Sequence, residues 1–183
     1  FTPNGNSGYE SSTSTRITPG DLSPKTLKYI VSTSNTATPN TDIAIGGTVN
    51  LTGLTGTYYV VATLCDSAGN CATASSNPFY LDAQKPSASV TVSGKTASIA
   101  LSDNIGLSGY QVTTSATPSS YTEVSGTSNT ASYTASAAGT YYVHVKDTAG
   151  NVYSTTFKID SSAFCAYGAG QTWAFDYTGG TQS

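Results

Sequence analysis

An internal repeat constrains this chain more than any single motif in it. Gly56-Thr57-Tyr58-Tyr59-Val60 returns as Gly139-Thr140-Tyr141-Tyr142-Val143, and Asp66-Ser67-Ala68-Gly69-Asn70 returns as Asp147-Thr148-Ala149-Gly150-Asn151. Upstream, Tyr29, Val31, Thr33 and Ser34 return as Tyr110, Val112, Thr114 and Ser115, and the offset from Tyr29 to Tyr110 equals that from Asp66 to Asp147, 81 residues. Phe79-x-x-Asp82 and Phe157-x-x-Asp160 close the two copies. Repetition that keeps its internal length marks a duplicated structural unit. The 183 residues therefore divide into units of residues 1–82 and 83–160, joined by Ala83-Gln84-Lys85-Pro86, with a remainder, 161–183, outside both.

Within a unit the pattern has the period of a strand. After Gly139-Thr140, the residues Tyr141, Val143 and Val145 share one face, and Tyr142, His144 and Lys146 the other. The first set reads as buried and the second as outward, which makes His144 a solvated side chain. The first copy has two additional residues here, one full strand period, so Tyr58, Val60, Ala62 and Leu64 still share a face and Cys65 lies outward with Tyr59, Val61 and Thr63. Asp-x-Ala-Gly-Asn reads as a hairpin loop, with Asp66 or Asp147 accepting backbone hydrogen bonds and Gly69-Asn70 or Gly150-Asn151 supplying a positive φ. Further short-strand patterns at Ala88–Val92, Thr96–Leu101, Tyr110–Thr114 and Val152–Ile159 bring the expectation to about seven strands per copy, a β-sandwich count. Tyr58 and Tyr141, each two residues before a buried Val, occupy the place of the tyrosine corner of immunoglobulin-like (Ig-like) sandwiches, with Val in place of the second Cys. The predicted fold class is all-β, two tandem Ig-like sandwiches with a short C-terminal extension.

Composition agrees and removes several function classes. Only 9% of residues are charged, against about 25% in an average soluble domain, while Ser and Thr make up nearly a third. Without the repeat this would suit a disordered stalk; with it, the small polar residues become the outer faces of folded sheets. Seven Lys and Arg, scattered singly under a net charge of -3, leave no basic stripe for nucleic acid. No apolar run is long enough to span a membrane. No cofactor is expected. The chain opens on Phe1-Thr2-Pro3 rather than a signal segment, as an excised piece of something longer would.

The ordered set of Phe1-Thr2-Pro3-Asn4-Gly5-Asn6-Ser7, Leu27-Lys28-Tyr29, the two Gly-Thr-Tyr-Tyr-Val segments, the two Asp-x-Ala-Gly-Asn hairpins and Phe79-Tyr80-Leu81-Asp82 resembles the bacterial Ig-like repeat modules of large secreted and cell-wall proteins. Trp173-Ala174-Phe175-Asp176-Tyr177-Thr178-Gly179 resembles the opening strand of a glycine-rich β module. The resemblance implies an extracellular, non-catalytic spacer or adhesive repeat, with neighbouring modules of the same protein as its partners. An adhesive module would contact a host glycan or protein through exposed Tyr59, Tyr142 and Tyr153. A fibre subunit would instead donate a strand from residues 161–183 to a second copy.

Few residues carry chemistry. Cys65 and Cys71 face each other across the first hairpin, where opposed Cα atoms lie about 4.5–5.5 Å apart, inside the disulfide window. Cys165 is left over: a bridge to a residue further along or to another subunit, a buried free thiol, or a thioester with Gln171. His144 is the single imidazole, with no Ser nucleophile in a sharp turn and no second imidazole to build a triad or zinc site around it, and no enzyme activity is expected. No metal site is expected outright; the candidates for calcium are Asp82 and Asp103-Asn104 near the unit junction, weighed against turn or cap roles, because the carboxylates stand mostly alone in sequence. Lys28, on the face opposite Tyr29 and Val31, is a poor donor for a buried isopeptide bond.

Overall fold

The structure is a computed structural model that describes residues 1–20 and 23–165. Among the described residues it is all-β; the named strands pair antiparallel, and one isolated parallel bridge joins Glu10 to Leu81. The strands are β1 (Ser12–Arg16), β2 (Pro24–Ser32), β3 (Thr41–Ile43), β4 (Thr48–Thr52), β5 (Thr55–Asp66), β6 (Cys71–Ser75) and β7 (Phe79–Asp82), then β8 (Ser87–Ser93), β9 (Thr96–Ser102), β10 (Leu107–Thr113), β11 (Thr122–Glu123), β12 (Ser128–Thr134), β13 (Gly139–Asp147) and β14 (Val152–Ile159). A 3₁₀ turn, Ser161–Phe164, follows. The strands predicted at 88–92, 96–101, 110–114 and 152–159 all form, the first three displaced or extended by one to three residues at their ends.

The alternating apolar residues make two separate cores. Ile17, Leu27, Val49, Leu51, Val60, Ala62, Phe79 and Leu81 form one cluster. Ala97, Ile99, Leu101, Leu107, Ala135, Tyr141, Val143, Val145, Phe157 and Ile159 form the other, and no residue belongs to both. The second core lies between the sheet β12-β9-β8 and the sheet β11-β10-β13-β14. Its inner face follows strand parity, since Tyr141 pairs with Phe157 and Val143 with Thr155. Tyr141 stacks on Phe157 at 5.5 Å, and Tyr133 tilts against Tyr141 at 5.3 Å. The first core packs β1 and β4 against the sheet β3-β2-β5-β6, with β7 running along the first residues of β5.

The two copies differ where the sequence lengths differ. In the second, β13 and β14 pair without interruption from Gly139↔Ile159 to Lys146↔Val152. In the first, the returning strand breaks between β6 and β7, because Val61 pairs with Ser75 but Tyr58 pairs with Phe79, one residue out of register. Ser76 fills the irregularity: its N–H donates to the Val60 carbonyl at 2.9 Å, and its Oγ accepts the Val60 N–H at 3.0 Å. The chain start lies along β7, with Asn6 Oδ1 accepting the Tyr80 N–H at 2.7 Å and Asn6 Nδ2 donating to the Tyr80 carbonyl at 3.1 Å. Gly5 makes that approach possible, since its φ is 80° and a Cβ there would sit 2.7 Å from the Pro78 carbonyl oxygen.

Candidate functional site

The two hairpins have the same sequence pattern and the same local geometry. Asp66 Oδ1 accepts the N–H groups of Ala68 at 2.8 Å and Asn70 at 2.9 Å, while Oδ2 accepts Asn70 Nδ2 at 2.8 Å. Asp147 Oδ1 accepts the Asn151 N–H at 2.7 Å, and Oδ2 accepts Asn151 Nδ2 at 2.7 Å. The positive φ falls on the glycines alone, 89° at Gly69 and 93° at Gly150.

Their surroundings are opposite. Asp66 is only partly covered, and its hydrogen bonds from the Asn70 side chain and backbone hold the carboxyl below its ordinary value of 3.8. Asp147 is 1% exposed; burial pushes its carboxyl up, the charges of Asp103 and Asp82 push the same way, and the Asn151 hydrogen bonds pull against them. Asp147 lies at the junction, with one oxygen each of Asp82, Asp103 and Asp147 within 4.8 Å of one another. The carboxylates expected to stand alone therefore converge, and the hairpin Asp147, read in sequence as a turn residue only, is the third member.

Each of the three comes from a different part of the fold. Asp82 ends β7, is fully buried, and presents Oδ1 to the Gln84 N–H at 3.2 Å and Asn104 Nδ2 at 3.1 Å. Asp103 follows β9 and turns the chain, its Oδ2 accepting the N–H groups of Ile105 at 2.8 Å and Gly106 at 2.7 Å. The other oxygens, Asp82 Oδ2 and Asp103 Oδ1, are buried without a hydrogen-bond partner. Buried polar atoms are nearly always satisfied, so two orphans in one cluster need a reason.

Donors are short throughout this site. Asn151 Nδ2 lies 2.7 Å from the Asp82 carbonyl, 2.9 Å from the Gln84 carbonyl and 2.7 Å from Asp147 Oδ2, yet an amide has two hydrogens for these three acceptors. Among the described residues the ion pair is Lys28–Asp42 at 3.0 Å, and no cation pairs with the cluster. At such separations each pair of ionised carboxylates repels by about 3 kcal/mol at an effective dielectric near 20.

Other expected site residues are placed as follows. Cys65 and Cys71 are register partners joined by a disulfide, with Cα atoms 4.1 Å apart, closer than the expected 4.5–5.5 Å. Tyr141 Oη donates to the Ala137 carbonyl at 2.8 Å, four residues upstream as in a tyrosine corner, whereas Tyr58 makes no such bond among the described residues. Lys28 is half exposed in its ion pair with Asp42. Cys165 is an exposed free thiol, which removes the buried alternative. Gln171, Trp173–Gly179 and the rest of the extension from 166 lie outside the described residues, and with them the donated strand.

One expectation is corrected. His144 is not solvated: it is fully buried, Nδ1 2.7 Å from Ser154 Oγ and Nε2 3.0 Å from the Ser115 carbonyl. It does lie on the face opposite Val143 and Val145, but the loop after β10 folds back over that face. Val61, on the corresponding outward position of β5, is buried as well. Tyr59, Tyr142 and Tyr153, the residues offered for a binding surface, are each partly accessible. Tyr142 stacks on His144 at 5.9 Å, and Tyr153 pairs with Val145 on the inner face, so these two lie on opposite faces of one sheet.

No protein-family model and no curated protein matches the chain. Among solved structures it is similar to a Bacteroides ovatus mixed-linkage glucan utilization locus protein, SGBP-B, in complex with a mixed-linkage heptasaccharide, at a TM-score of 0.30 and 15% identity. That alignment covers 83% of this chain and 42% of the other, so this chain spans less than half the length of that protein.

Proposed function

We propose that the chain is a non-catalytic spacer of an extracellular bacterial surface protein, built as two Ig-like units, residues 1–82 and 83–160, that hold whatever follows at a set distance. The observation that supports this reading best is the junction. Two cores that share no residue are joined by four residues, of which Pro86 is buried, and the second hairpin grips the end of the first unit. Asn151 Nδ2 bonds the carbonyls of Asp82 and Gln84, and the Ser11 N–H donates to the Ala149 carbonyl at 3.2 Å. A flexible tether would have no need of such contacts, whereas a spacer that transmits position does. The disulfide fits an oxidising, extracellular compartment.

Small-angle scattering on the full chain tests the reading. Wild type fits one arrangement of the two units, and Asn151→Ala, which removes the side-chain grip on the linker, broadens the distance distribution while each unit stays folded by circular dichroism. A wild-type profile that already requires an ensemble of arrangements overturns it.

A further inference from the structure

We infer that Asp82, Asp103 and Asp147 form a binding site for one divalent cation, of which calcium is the natural occupant, clamping the second unit onto the end of the first. The site joins three carboxylates from separate segments, β7, the turn after β9 and the hairpin after β13. Two of their oxygens, Asp82 Oδ2 and Asp103 Oδ1, are buried and have no donor, and Asp82 is fully inaccessible to solvent. Among the described residues no ammonium or guanidinium pairs with the group. A hard cation supplies the missing charge and accepts the orphaned lone pairs together, and oxygen-only ligation with no Cys or His is the donor chemistry of calcium or magnesium rather than of a transition metal. Irregular spacing among carboxylates from three segments suits calcium, which tolerates uneven coordination, over magnesium, which demands a near-ideal octahedron. Asn104 is bonded through Nδ2 to Asp82 Oδ1, so the amide next to Asp103 already orients one ligand. The equivalent hairpin carboxylate, Asp66, is only partly covered and is no part of the cluster, which makes it an internal control.

This site rests on the geometry of the cluster; its mechanical consequence, a locked joint, rests on the spacer reading above. Isothermal titration of the chelator-treated full chain with calcium chloride tests the site itself. The expected result is one calcium per chain with a dissociation constant of about 10⁻⁴–10⁻³ M, the range of extracellular modules. Asp82→Asn and Asp103→Asn are each expected to weaken it at least about tenfold, and Asp66→Asn to leave it unchanged. Asp103→Asn retains an oxygen for the Ile105 and Gly106 N–H groups and alters only the orphaned position. Its metal-free form should therefore melt above the metal-free wild type, having lost one like charge, and gain little from calcium. Backbone amide shifts at Asn104 and Asn151 on adding calcium to wild type locate the ion independently of any variant. Absence of binding at 10 mM calcium, equal loss in Asp66→Asn, no shift at those amides, or magnesium binding as tightly as calcium would each overturn the assignment. Calcium binding with loose units would instead sink the spacer reading and leave the site standing.

Discussion

The same residue in the same turn behaves in two ways here, and the difference is burial. Asp66 and Asp147 both receive hydrogen bonds from the Asn four residues on, but Asp147 is also enclosed beside Asp82 and Asp103. In metal-free protein, carboxyl titration by nuclear magnetic resonance should place Asp66 below the ordinary 3.8 and Asp147 above it. The linkage has opposite signs. The Asp66 contribution to stability is present above the unfolded value and is lost as pH falls through its lowered one. Asp147 takes up its proton more readily folded than unfolded, so metal-free stability falls as pH rises from 3.8 through its raised value. Equal titration of the two would contradict the cluster. His144 is a second residue whose environment decides its role. His144→Phe keeps the bulk and the Tyr142 stacking but leaves Ser154 Oγ and the Ser115 carbonyl unpaired, an expected loss of about 1–3 kcal/mol in denaturant unfolding. A loss near zero would mean that the buried imidazole is only filler.

At the scale of elements, what could be read from the chain was what strand parity and turn chemistry control locally. The core face of β13, the Asp-x-Ala-Gly-Asn hairpins and the opposition of Cys65 and Cys71 follow from period-two alternation and a five-residue turn. Parity also assigned His144 and Val61 to the face away from the core, correctly, but could not tell that this face is covered. That depends on where the loop after β10 comes to rest, a contact 29 residues away for His144 and Ser115. Asp82 and Asp103 were legible as candidates from their place near a unit boundary. Asp147 was not, because its pattern matches that of the less buried Asp66 and only the packing around them separates the two. The disulfide closes a hairpin that its counterpart forms with Lys146 and Val152, so it adds to the turn and does not create it. Reduction should lower the stability of the first unit by about 2 kcal/mol through loop entropy and leave its strand pairing intact. Collapse of the sheet on reduction, seen by amide exchange, would contradict this.

For the whole molecule, the account turns on the joint rather than on either sandwich. Each unit buries its own apolar core, and the spacer proposed above depends on what holds the two together. In the proposed spacer, Asn151, Ser11 and the three carboxylates are what would fix the joint. Residual dipolar couplings, collected for both units in one alignment medium at millimolar calcium, test it most directly. The account predicts a single alignment tensor that fits the amides of residues 1–82 and of 87–160 together with equal magnitude. Two tensors of different magnitude or orientation, reporting units that reorient independently, would contradict it.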